Sequence, residues 1–163
     1  MRPVVSDTGP LIALARAQRL DLLRRLYRRV VVPPAVRDEL AIGSDRPGAQ
    51  RLADALSAGW LSVGSLVSDL ATIELRQLLD PGEAEAIALA EQLDARFLVI
   101  DDAAGRRIAR RRGVTVMGVA GVLLSAKAGG TLVAVKPVLV EMASAGYHLS
   151  PRLVSAVLAR AGE

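Results

Sequence analysis

The chain has 163 residues, 52% of them hydrophobic, enough for one domain with a sizeable core and too apolar for disorder. It contains no cysteine, which excludes disulfides, cysteine-ligated zinc and cysteine nucleophiles. The net charge of +4 comes almost wholly from arginine and permits a nucleic-acid partner, while an aromatic content of 2% disfavours base recognition on aromatic platforms.

Val4-Val5-Ser6 predicts a short strand that runs directly into Asp7, Thr8, Gly9 and Pro10. A helical pattern follows over 11–17, and the leucines of 20–26 give a second helical face. Val30-Val31-Val32 reads as a buried strand, ended by Pro33-Pro34, and Pro suits the first turn of the next helix over 35–41. Residues 42–48 are rich in Gly, Ser, Asp and Pro and predict a loop. A helix over 49–58, a strand over 60–63 and a helix over 69–79 capped by Asp69 come next. Asp80-Pro81-Gly82 breaks the chain, and a helix over 83–93 follows. Phe97-Leu98-Val99-Ile100 is the most apolar strand, and it ends in Asp101-Asp102. An arginine-heavy helix over 103–112, a strand over 114–116 and a helix over 121–128 complete the alternation. The tail predicts two helices, parted by 146–151, with Ser150 as cap and Pro151 at the first helical position.

Strands alternating with helices predict an α/β protein with a mainly parallel sheet and helices on both faces. The longest apolar run lies within 114–126 and is interrupted by Gly, Thr and Ser. A membrane span needs about 20 apolar residues, so a soluble chain is expected. Met1-Arg2-Pro3 leads straight into the first strand, which leaves no room for a signal peptide, and the lack of cysteine fits a reducing cytoplasm.

In a parallel sheet each helix begins at the edge where strands end. Asp7 stands at the end of the first strand, Asp101 and Asp102 at the end of a later one. Glu83 lies in the first turn of the helix leading into that strand, and Glu39 in the helix after the second. All are compatible with one edge, where open α/β sheets bind ligands. Glu83 shares a helical face with Ile87, which predicts that it points toward the core. Taken singly, these acids read as well as helix caps or dipole partners. Together they repel: two unit charges about 4 Å apart cost roughly 4 kcal/mol at an effective dielectric near 20. Such a cluster takes up protons or binds cations, and oxygen-only donors suit Mg²⁺ or Mn²⁺. A bound ion of that kind can activate water against a phosphodiester.

Four stretches carry a resemblance: 6–12 (SDTGPLI), 32–40 (VPPAVRDEL), 82–90 (GEAEAIALA) and 98–102 (LVIDD). In order and spacing they resemble the PIN domain, and more narrowly its VapC-like toxins. With no dividing linker the chain predicts a single domain over 1–163, and its extra C-terminal helices, over about 131–163, exceed a minimal toxin of this kind. The resemblance covers a core over about 4–128 and implies a three-layer α/β/α sandwich. It also implies an endoribonuclease using Mg²⁺ or Mn²⁺. Matched by position, Asp7, Glu39, Glu83 and Asp102 are the catalytic acids and metal ligands, with Asp101 as a neighbouring ligand. Glu85 is the alternative to Glu83, since the third motif holds both. Thr8 matches the hydroxyl beside the first acid. RNA is the implied substrate, a small antitoxin the implied partner, and a homodimer the default assembly. Arg106, Arg107 and Arg110, with Arg111 and Arg112, make a basic face that can hold an RNA backbone or simply be solvated. Two rivals remain: a catalytically inactive module that kept the fold, and a receiver-like phospho-acceptor. The latter would want a late-strand lysine, which Lys127 and Lys136 do not provide.

Overall fold

Three consecutive valines, or a valine pair and a serine, are too short to make more than a few ladder bonds. The three central strands here are stable because both faces are covered, every residue of each being buried. A computed structural model describes residues 1–163. In chain order the elements are β1 (Val4–Ser6), α1 (Thr8–Arg16), α2 (Asp21–Tyr27), β2 (Val30–Val32), α3 (Pro34–Glu39), α4 (Ala49–Ser57) and β3 (Leu61–Val63). They continue with α5 (Leu70–Leu78), α6 (Pro81–Gln92), β4 (Phe97–Val99), α7 (Ala103–Arg111), β5 (Val116–Met117) and α8 (Val119–Ala128). The last two are α9 (Lys136–Ser144) and α10 (Pro151–Ala161). The sheet is wholly parallel, in the order β3-β2-β1-β4-β5, with helices flanking it as in a three-layer α/β/α sandwich. No helix is long and apolar enough to cross a membrane.

This order sets where a ligand can bind. The chain builds outward from β1 through β2 to β3, then returns to place β4 on the other side of β1. The connections after β1 and β4 therefore depart in opposite directions and leave a crevice at their carboxyl ends. The register pairs Ser6 with Val99, so the two strands end level and Asp7 stands beside Ile100 and Asp101.

α6 is the central helix of one layer. Ala84, Ala86, Ile87, Ala88, Leu89 and Ala90 are all buried, against β1, β4, α3, α5 and α7. Its alanines permit close approach on nearly every side. Glu85 is also buried, at 7% exposure, and it is satisfied there. One oxygen accepts the Ala35 amide of α3 at 2.8 Å, and the other pairs with Arg76 of α5. Glu85 thus joins three helices. The helices of the tail share the core, since Val138, Met142 and Val157 belong to the same apolar cluster as the strands.

Several boundaries differ from the sequence reading, each for a local reason. α1 begins at Thr8, because Pro10 falls in the first turn, where amides have no intrahelical partner to lose. α6 begins at Pro81, with Asp80 as cap. β5 occupies Val116–Met117, because the Val114 amide closes the end of α7 on the Ala109 carbonyl at 2.9 Å. α8 starts at Val119 and so covers two residues assigned to the preceding loop.

Removing the Glu85 carboxylate orphans the Ala35 amide and unpairs Arg76. Glu85→Ala is expected to lower the unfolding free energy by about 2 kcal/mol, or roughly 4–8 °C in melting temperature for a chain of this size. Calorimetry of the two proteins measures it.

Candidate active site

The crevice between the ends of β1 and β4 is lined by acids delivered from five elements. Asp7 occupies the N-cap position of α1, yet its side chain makes no cap hydrogen bond to that helix. Its own amide donates to the Val99 carbonyl at 2.9 Å, which pins the backbone to β4. The carboxyl group is 6% exposed. Burial pushes its pKa up to about 7, and Asp80, Glu39 and Asp101 add repulsion that the Thr8 amide only partly offsets.

Glu39, the last residue of α3, lays its carboxylate on the start of α6. Oε1 accepts the Gly82 amide at 2.9 Å, and Oε2 accepts the Thr8 hydroxyl at 2.5 Å. A Cβ at position 82 would collide with Oε2, so only glycine lets the carboxylate sit there. Thr8 is therefore committed to Glu39.

Asp80 was read from the sequence only as part of a chain break. It caps α6, accepting the Glu83 amide at 2.8 Å, and its charge acts on both Asp7 and Glu83. The signal was legible in kind: Asp-Pro-Gly-Glu places a cap, a first-turn proline and an acid three residues after the cap.

Glu83 is half-buried in the first turn of α6. Burial raises its pKa to about 7, with further repulsion from Asp80, Asp102 and Asp7. It faces the crevice and not the core, which corrects the orientation inferred from Ile87. Beyond its first turn α6 is enclosed almost all round, so sharing a face with Ile87 does not select an inward direction. Glu85 is the acid taken inside, and its Arg76 and Ala35 contacts hold it away from the crevice.

Asp102 caps α7, accepting the Gly105 amide at 2.8 Å, and stays exposed. Asp101 is bound more elaborately. Oδ1 accepts the Val119 amide of α8 at 3.1 Å, and Oδ2 accepts the Tyr147 hydroxyl at 2.5 Å. Burial raises its pKa, while Tyr147, Val119 and Arg106 pull it back. Tyr147 comes from the connection between α9 and α10, 46 residues away, and no local pattern marked it. The negative charge of Asp101 and Asp7, added to its own burial, pushes the phenol pKa upward, so it stays a donor.

The arginines of α7 divide. Arg106 turns inward and donates to the Ile100 carbonyl at 2.8 Å. Arg112 forks onto Glu91 of α6 at 2.9 and 2.8 Å. Arg107, Arg110 and Arg111 stay exposed, Arg110 and Arg111 in the last turn of α7, at the far end of the helix from Asp102.

No cationic side chain acts appreciably on Asp7 or Glu83. The donors here are oxygens alone, and His148, the single histidine, is exposed in the tail. In charge and donor type this set fits a hard divalent cation. Asp80 and Asp102 each use one oxygen as a cap and keep the other. No three of the carboxylates stand close enough together to enclose an ion without side-chain rotation.

A family model described as PIN domain matches residues 3–163. The chain belongs to the PIN-domain family. None of the curated proteins matches it. PIN domains are generally nucleases that act on nucleic acids and use divalent metal ions. The match runs through α9 and α10, so the tail that supplies Tyr147 lies inside the PIN-family region.

The buried charge gives this PIN domain a pH signature. The folded pKa of Asp7 lies above its unfolded value, so the folded state holds the extra proton between pH 3.8 and about 7. Stability therefore falls as pH rises through that window and levels off above it. Asp7→Asn removes the ionisation. Without divalent cation at pH 8 it is expected to stabilise the protein by on the order of 2 kcal/mol. The gain should shrink toward pH 4, and urea unfolding at several pH values follows it.

Proposed function

We propose that this PIN domain is a metal-dependent endoribonuclease. Asp7, Glu39, Glu83 and Asp102 surround one or two Mg²⁺ or Mn²⁺ ions in this reading, with Asp101 beside them. The observation that carries it is the pair Asp7 and Glu83, both pushed to about pH 7 at the crevice with no cation to balance them. Bound there, a divalent cation would supply Lewis acidity toward water and phosphate oxygen. Asp7 contributes a fixed, buried anion whose position is set by the β1–β4 register. Glu39 is oriented by Gly82 and Thr8 before any ligand arrives. Glu83, half-open to solvent and titrating near neutral pH, can take a proton from an attacking water. Arg107 and Arg110, exposed along α7 as it leads away from Asp102, are suited to the RNA backbone.

The biological role we infer is that of a cytoplasmic toxin-like nuclease. It acts as a homodimer, residues 1–163 forming one unit, and a small antitoxin covers the acidic edge. One observation favours the rival, an inactive module: the carboxylates are spread over cap positions and do not enclose an ion as they stand.

Cleavage of single-stranded and structured RNA separates the two. Purified protein is assayed with Mn²⁺, Mg²⁺ or EDTA, beside Asp7→Asn and Glu83→Gln. Cleavage that requires metal and falls by on the order of 10²-fold or more in each variant is expected. Equal cleavage in parent and variants would indicate a contaminant. No cleavage, with no Mn²⁺-induced rise in melting temperature, would leave the inactive module.

A further inference from the structure

Asp101 also lines a cavity of about 420 Å³ beside the acidic edge, bounded by β5, the start of α8 and α10. Its walls are largely apolar, with Met117, Leu124 and Val157 and the more exposed Leu153. Two guanidinium groups border it, Arg106 from α7 and Arg160 from the last turn of α10, and neither forms an ion pair. Two glycines allow this shape. A Cβ at Gly118 would meet Asp101 Oδ1 at 2.7 Å, and one at Gly121 would meet the Met117 side chain at 2.8 Å.

Each property narrows the occupant. The volume is in the range of small-molecule pockets, roughly 300–1,000 Å³. Apolar walls give a bare inorganic anion nothing that water does not give better. Two guanidinium groups, Arg160 exposed and Arg106 with one amino group on the Ile100 carbonyl, disfavour a neutral apolar ligand and suit phosphate. A planar, weakly polar body carrying a phosphate satisfies both demands. Single-stranded RNA offers that unit when a base is splayed out of its stack.

We propose that this cavity is a subsite for one unstacked nucleotide next to the scissile phosphate, its base against Met117, Leu124, Leu153 and Val157 and its phosphate held by Arg106 and Arg160. The inference rests on the nuclease reading above and adds where substrate preference is exerted. No aromatic ring lines the cavity, so selection among bases comes from shape and edge contacts and not from ring stacking. One wall of the subsite is built by α10, which gives the C-terminal helix a place in substrate choice.

The test uses the full chain in EDTA, where hydrolysis through a metal is silent. The four 5′-ribonucleoside monophosphates, the free nucleosides and inorganic phosphate are titrated by calorimetry. Ala156, exposed on α10 and lining the cavity, is replaced to fill it (Ala156→Trp), and Arg160→Ala removes one cation while leaving the space. At least one monophosphate is expected to bind about 10-fold or more tightly than its nucleoside or phosphate alone, and to lose about 10-fold in each variant. Far-UV circular dichroism and melting temperatures establish that both variants fold. Equal binding by parent and both variants, phosphate binding as tight as nucleotide, or no binding of any monophosphate would overturn the subsite. Intact nucleotide binding without Mn²⁺-dependent RNA cleavage would instead overturn the nuclease reading.

Discussion

Negative charge collects at one edge of this sheet because helix amino termini collect there. Every strand is parallel, so the helices that follow them begin at the same side and present free amides to it. Glu39 and Asp80 take amides at the start of α6, Asp102 one in α7 and Asp101 one in α8. Capping and clustering are therefore the same arrangement seen at two scales. Each acid has a local structural reason to be where it is, and the sum is an anionic crevice. Asp7 is the member whose side chain is left without a cap bond to its own helix, and it is the most deeply buried of the set.

That constraint explains why the individual acids carry unequal weight. Burial and repulsion drive the pKa values of Asp7 and Glu83 to about 7, and the Thr8 amide offsets this only partly at Asp7. The protein holds this cost inside a rigid frame: Asp7 is tied through its backbone to β4, and Glu83 rides on a helix enclosed by the rest of its layer. Sites that bind cations or move protons characteristically place perturbed groups on such supports.

Much of the frame was readable along the chain. The valine runs, the Asp-Pro-Gly break and the Ile-Asp-Asp strand end all located elements within a few residues, because they depend on local backbone preference and apolar patterning. Parallel topology alone pointed to one edge for Asp7, Glu83 and Asp101-Asp102, whereas Glu39, at the far end of α3, also needed the motif match. What could not be read was whatever needed a partner distant in sequence. Glu83 and Glu85 are equivalent in composition, and only the positions of Arg76 and Ala35 decide which is taken inside. Periodicity fails for α6, since a helix buried on almost every side has no single inward face. Tyr147 could not be connected to Asp101 from spacing, and the arginines of α7 looked like one surface until Arg106 and Arg112 found their separate acceptors.

The central position of β1 also bears on when this protein becomes competent as it is made. Val4 and Val5 can pair with β2 as soon as residues 30–32 follow them, but their other neighbour, β4, arrives only with residues 97–99. Asp7 is thus made well before most of its surroundings. Asp80, Glu83 and Asp101 follow far behind, and the Tyr147 hydroxyl that secures Asp101 comes later still. A nascent amino-terminal half holds one wall of the crevice and no more. Ordering by long-range contacts of this kind delays assembly, and here it keeps an acidic site from forming on an unfinished chain.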